Sequence, residues 1–197
     1  VLLPAIAIAT GILGYYTWVS ASGFARLGEQ TIADSTLLLV REKVESIERY
    51  VITQDNLAFG LVELADGTSI ESKWLPVAEQ VTPSIHALLL LDDAGEVLGY
   101  ANRGNEREAA RFLKVFEERM LGELELQRLT VGRLKHLHQS FGNKSYLLSY
   151  EARRHAGRRV YLVAHHDTEY IVEEEFPRLF ATEEGKRQYN VVSDDNR

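Results

Sequence analysis

From Val1 to Ala25 the chain carries no charged residue; Arg26 is the first, and all 29 acidic and 22 basic residues lie from there to Arg197. A charge-free run of this length fixes the solvent it can live in. Its first part, VLLPAIAIATGILGYYTWV over Val1–Val19, is long enough as a helix of about 20 residues to cross roughly 30 Å of hydrocarbon. Pro4, Gly11 and Gly14 are tolerable in such a helix, and Tyr15, Tyr16 and Trp18 cluster at one end, as an interfacial aromatic belt does. A membrane anchor over residues 1–22 is the expectation. Two other readings compete with it: a cleaved signal peptide with a small-residue site at Val19-Ser20-Ala21, and a buried core helix. The chain begins at Val and not Met, so it is expected to be a piece of a longer protein. The positive-inside count is therefore open, and orientation has to be inferred from the character of the domain after Arg26.

The remainder reads as a water-soluble domain. The formal net charge is −7, so no overall basic field attracts phosphate and a general nucleic-acid role is excluded. There is no cysteine among the 197 residues, which excludes disulfides, thiolate metal sites, iron–sulfur clusters and thiol catalysis. The mean hydropathy of −0.18 averages two segments made for different solvents and describes neither.

A long helix is predicted over Phe24–Ile52. Ala33, Leu37, Val40, Val44, Ile47 and Val51 recur at alternating intervals of four and three, a heptad seam. The seam serves either a homodimer and signalling rod or a helix lying on its own sheet. Residues 55–83 read as loops, short helical turns and a short strand. Ile85–Leu91 is an apolar run suited to a buried strand. Asp92–Gly95 supplies turn chemistry, and Glu96–Ala101 returns as a second strand. Asn105 with Glu108 three positions on forms a capping box, opening a helix whose buried face is Ala109, Phe112, Phe116, Met120 and Leu124. Strands are predicted over Leu134–Ser140, Ser145–Arg153 and Arg158–His166, the last two joined by the turn His155–Gly157. An acidic helix over Asp167–Phe180 is expected to break at Pro177, and Lys186–Val192 reads as a further strand.

The order of membrane helix, long helix, strand pair, helix and three strands resembles the extracytoplasmic Cache or PDC sensor regions, which have a PAS-like fold. The heptad helix, the LLLLDDAGEVLGYAN hairpin and the SYLLSYEARRHAGRRVYLVAHHD hairpin carry the resemblance, which covers about residues 1–180. It implies an α+β fold with a PAS-like antiparallel sheet of about five strands under covering helices. The implied organisation is an anchor over 1–22, a signalling or dimerisation helix over 23–54, a sensor domain over 55–181, and over 182–197 a linker and the start of a second PAS-like module. The implied function is stimulus sensing on the periplasmic side of the inner membrane for a two-component sensor histidine kinase, with homodimerisation through Phe24–Ile52. An input domain of a chemoreceptor or diguanylate cyclase, or a secreted periplasmic binding protein, is the alternative.

Catalytic chemistry is missing from the motifs. His166-Asp167 begins like a phosphoacceptor box but continues Thr168-Glu169, without the basic residue and proline such a box has. Neither a phosphate-cradling glycine loop nor a nucleophile elbow is present. The chain is therefore expected not to be an enzyme and to need no cofactor, the kinase core lying elsewhere in the full protein. A small-molecule ligand is expected on the sheet. Tyr146, Tyr150 and Tyr161 bring hydroxyls to apolar strands, with Arg153 and His165 near the strand ends. His136, His138 and His165 are weak candidates for a metal or a pH response, since imidazole suits zinc, copper or nickel; solvent-facing strand histidines are the bland alternative. Arg153, Arg154, Arg158 and Arg159 flank one hairpin turn, either as plain surface charge or as an anion site.

Overall fold

The computed structural model describes residues 37, 38, 40–141 and 144–180. The predicted anchor, the helix before residue 37 and the predicted strand Lys186–Val192 lie outside the described residues. Among those described, no helix is long and apolar enough to cross a membrane. The chain divides into two units, Val1–Ser46 and Ile47–Arg197.

In the first unit the described residues are helical, and Arg41 pairs with Glu45 one turn on at 3.2 Å. Leu37, Val40 and Val44 of the predicted seam are exposed there.

The second unit is α+β. Five strands form one antiparallel sheet: β1 (Ile85–Leu91), β2 (Val97–Asn102), β3 (Lys135–Phe141), β4 (Lys144–His155) and β5 (Arg158–His166), in the spatial order β2-β1-β5-β4-β3. This is the broadly PAS-like sheet that the resemblance implies. Helix α1 occupies residues 47–61 of this unit, helical turns over 70–81 make α2, α3 is Glu106–Val115, and α4 spans residues 168–180. Both faces of the central strands are covered, so β1 and β5 lack the clean alternation of a half-exposed sheet, which the edge strand β3 keeps. Six of the seven residues of β1 are buried, which is why its sequence is a continuous apolar run.

Each strand side chain alternates between two cores. On one face Leu88, Leu90, Leu162 and Ala164 pack with Ala58 and Phe59 of α1 and with Ile70, Trp74 and Ala78 of α2. On the other, Leu89, Leu91, Leu148, Tyr161 and Val163 pack with Phe112 of α3 and with Phe116, Met120 and Leu124 beyond it. Trp74 is fully buried and donates its indole N–H to Thr82 Oγ1 at 2.9 Å, the usual way a buried indole is satisfied.

The turns form for local reasons. Asp92 accepts from the backbone N–H of Ala94 and Glu96, and Gly95 sits at φ 89°, a conformation that costs glycine nothing. Ala156 and Gly157 both have positive φ (48° and 81°) between paired His155 and Arg158, a two-residue hairpin loop of the kind that matches strand twist. The capping box forms as predicted: Asn105 accepts from Glu108 N–H, and the Glu108 carboxylate accepts from Asn105 N–H.

Three expectations change. Helix α1 continues to residue 61 instead of ending at Ile52, because Ala58 and Phe59 bury its far end. Residues 62–83 hold no strand; they are turns and the helical turns of α2. Pro177 does not break α4: a wide turn over Ile171–Glu175 precedes it, with Phe176 N–H on the Ile171 carbonyl, and Phe176–Phe180 remains helical. Widened turns of this kind absorb a missing donor that a regular helix would not.

Candidate functional site

The strand registers place the candidate residues. Leu148 stands opposite His165, and His165 opposite Ala87; Tyr150 stands opposite Val163, and Ala152 opposite Tyr161. Tyr146, Tyr150, Tyr161 and His165 therefore share the face under α3. Arg153 pairs with Val160 in the other set of rows and lies on the α1 face. There it donates to Glu151 at 3.0 Å and to the Phe59 carbonyl at 3.1 Å, and lies 5.9 Å from the centroid of the Phe59 ring. That is a clasp between β4 and the C-terminal turn of α1, where a cation meets the helix dipole. The other arginines of the turn are used differently: Arg159 donates to the Gln127 carbonyl, while Arg154 and Arg158 are exposed.

The α3 face holds an aromatic group around His165. This residue is 4% exposed. Its ring stacks on Phe112 with centroids 4.4 Å apart and planes at 13°, lies 5.4 Å from Tyr146, and meets His86 edge-on at 5.8 Å. Phe112 in turn neighbours Tyr100, whose hydroxyl donates to the Ala109 carbonyl. His165 Nδ1 and the Tyr161 hydroxyl are buried without a hydrogen-bond partner, the arrangement that folded cores avoid unless something uses it. Burial, with the charges of His86, Lys144 and His166, holds His165 well below the usual histidine range. Burial lowers His86 as well, and it raises the hydroxyls of Tyr146 and Tyr150. The α3 face is thus a packed aromatic layer that includes two buried polar atoms without hydrogen-bond partners, His165 Nδ1 and the Tyr161 hydroxyl.

The α1 face holds a second polar group that the sequence pattern does not mark. Asp55 on α1 is fully buried. Its Oδ1 lies 3.0 Å from His166 Nε2, and its Oδ2 lies 3.4 Å from His136 Nε2. Ser149 Oγ is 2.7 Å from the same His166 nitrogen. Burial pushes the Asp55 carboxyl upward, but hydrogen bonds from His136, His166 and Ser149 and the charge of His166 outweigh it and leave the group below the ordinary carboxylate range. Serine, histidine and aspartate meet here, yet Ser149 and Asp55 approach the same imidazole nitrogen. A nucleophile relay needs the two partners on different nitrogens; the geometry here instead ties α1 to β4 and β5.

The three weak metal candidates are not brought together. His136 and His138 share the α1 face of β3, His136 on Asp55 and His138 on the Ser145 hydroxyl at 2.7 Å, while His165 points to the opposite face. No three histidines, aspartates or glutamates are gathered for a metal ion among the described residues. The adjacency of His165 and His166 in one strand is the signal available in advance: alternate faces must receive one each. No known protein-family model matches the chain, and no curated protein matches it.

Proposed function

We propose that the chain is the extracytoplasmic input region of a membrane-bound sensor, of the Cache type and most simply of a two-component histidine kinase. A stimulus acts on the α3 face, and the connection to α1 carries the response. The observation behind this reading is the unpaired Nδ1 of His165, buried in the aromatic layer under α3. His165 adjoins His166, which holds α1 through Asp55 on the opposite face. A ligand that moves the end of β5 thereby moves the helix leading toward the charge-free segment. An apolar layer with few convergent polar atoms is the usual chemistry of a small-molecule site. A chemoreceptor or cyclase output fits the same input domain.

The test is a thermal-shift screen of the full chain against planar aromatic and heteroaromatic metabolites. A true ligand at 100 times its Kd stabilises by about 2.7 kcal/mol, roughly 5–10 °C in a domain of this size. The shift is expected to vanish in His165→Leu. A compound set that leaves the wild type unmoved, or a shift that survives the substitution, refutes the ligand face.

A further inference from the structure

Two histidines, His86 on β1 and His165 on β5, meet edge-on beneath α3, and one of them is stacked flat on the helix's own Phe112. Stacking at 4.4 Å leaves no room for water between the rings. An imidazole that gains a proton there becomes a buried cation, which burial penalises severely unless an anion faces it.

Among the described residues, the groups acting on His165 include no such anion. The charged or chargeable groups acting on it are His86 from β1, Lys144 from β4 and His166 from its own strand, and all three oppose a positive charge. Arg111 of α3 acts on the neighbouring Tyr146, and Lys144 Nζ lies 5.8 Å from the centroid of the Tyr146 ring. His86 is set differently. Asp167 and Glu108 favour its charged form, while Lys144 and Arg103 oppose it. A proton arriving from solvent therefore reaches His86 first and makes the place of His165 worse.

We infer that the His86–His165 pair is a proton-operated release for α3: charging these rings breaks the stack on Phe112 and lifts α3 from the sheet, while α1 stays anchored through Asp55. This names protons as a stimulus of the α3 face and rests on the reading of that face as the input side. The sign comes from linkage. A base held below its ordinary value of 6.5 in the folded chain binds more protons when freed. Its contribution to stability is whole above pH 6.5 and is lost as the pH falls below it. The Asp55 carboxyl sits below its ordinary 3.8, so the α1 anchor is lost only in much stronger acid. Between these limits α3 loosens while α1 keeps its hold on β5 through Asp55, so a shift of β5 can still reach it.

Hydrogen exchange of the full chain without ligand, at pH 7.5, 6.5 and 5.5 and corrected for intrinsic rates, reads this directly. Peptides covering Glu106–Leu124 are expected to lose protection by up to about tenfold per pH unit below 6.5 for each ring that charges on release, while residues 47–61 keep theirs. His165→Phe retains an aromatic stack and cannot charge, and is expected to flatten the α3 response; His86→Gln is expected to weaken it. Flat protection of α3 in the wild type, or an undiminished loss in both variants, overturns the release. If a variant fails to fold, imidazole nitrogen NMR of the wild type decides. A His165 ring that titrates at the ordinary histidine value without shifting α3 resonances overturns it; one that charges only as α3 resonances change supports it. Because no ligand is present, a failed compound screen leaves this result readable, and a flat acid response leaves the screen untouched.

Discussion

Replacing Asp55 by alanine probes the anchor that ties α1 to the sheet. The carboxylate lies against His166 at 3.0 Å and His136 at 3.4 Å, with the Ser149 hydroxyl beside the same His166 nitrogen. Each buried donor left without a partner costs about 1–3 kcal/mol, but the three do not add simply. The His136 side chain is 30% exposed and can turn to water. Ser149 and His166 already touch each other at 2.7 Å and can satisfy one another in part. One fully orphaned donor plus the lost carboxylate contacts gives about 3 kcal/mol, at the lower edge of the roughly 3–5 kcal/mol seen when a buried pair loses one member. That is a large share of a total near 5–15 kcal/mol. Urea unfolding at pH 7 of the wild type and Asp55→Ala measures it, and Asp55→Asn, which keeps the volume and one acceptor, is expected to lose about half as much. The carboxyl lies below 3.8 when folded, so its stabilisation is present above that value and disappears as the pH falls through the folded one. The gap between wild type and variant should therefore hold from pH 8 to 5 and close toward pH 3. Since Asp55 is fully buried, added salt should leave the gap at pH 7 nearly unchanged. A loss below about 1 kcal/mol at pH 7, or a gap that widens in acid, refutes the account of Asp55 as an ionised anchor.

Two further substitutions test the backbone. Gly99 of β2 and Gly67 approach each other main chain to main chain, and a methyl on Gly99 would overlap the Gly67 carbonyl; Gly99→Ala is expected to cost about 3 kcal/mol by urea unfolding, since rigid overpacking costs that order, and a loss within 0.5 kcal/mol, about the size of an ordinary surface change, would contradict the contact. Ala156 holds a left-handed conformation at φ 48°, which costs a residue with a Cβ about 1–2 kcal/mol; Ala156→Asn, giving the Asn-Gly pair such loops favour, is expected to raise the melting temperature by a few degrees, and an unchanged or lowered value argues against that turn.

The parts of the fold legible in the sequence are those made by neighbours. The Asp92 turn, the capping box of Asn105 with Glu108, and the apolar run of β1 all declare themselves within a few residues. The end of α1 does not. Its run Gln54-Asp55-Asn56 looks like a helix being abandoned to solvent, yet Gln54 and Asp55 are buried. Asp55 is satisfied by His136 and His166, which lie 81 and 111 residues further along. A polar residue whose partners are that distant reads as surface, because propensity and periodicity carry no record of what folds against it. Tyr146, Tyr150, Tyr161 and His165 are placeable on one face only once the strand registers are known; the same registers assign Arg153 to the opposite face.

The adjacency of His165 and His166 gives the sensing proposal its mechanical content. A strand must send neighbouring side chains to opposite faces, so these two residues connect α3 to α1 through one peptide unit. The packed cores on both sides respond by shifting between arrangements more readily than by stretching. Each partner differs in what it tolerates. His165 has aromatic rings and no facing carboxylate among the groups acting on it, whereas His166 has the buried carboxylate of Asp55. A proton on His165 therefore loosens the α3 packing, while the contact of His166 with Asp55 keeps α1 tied to β5. Linkage makes the proposed relation reciprocal: if a ligand on the α3 face shifts the hold of His166 on Asp55, a substitution at Asp55 alters that ligand's affinity by the same free energy.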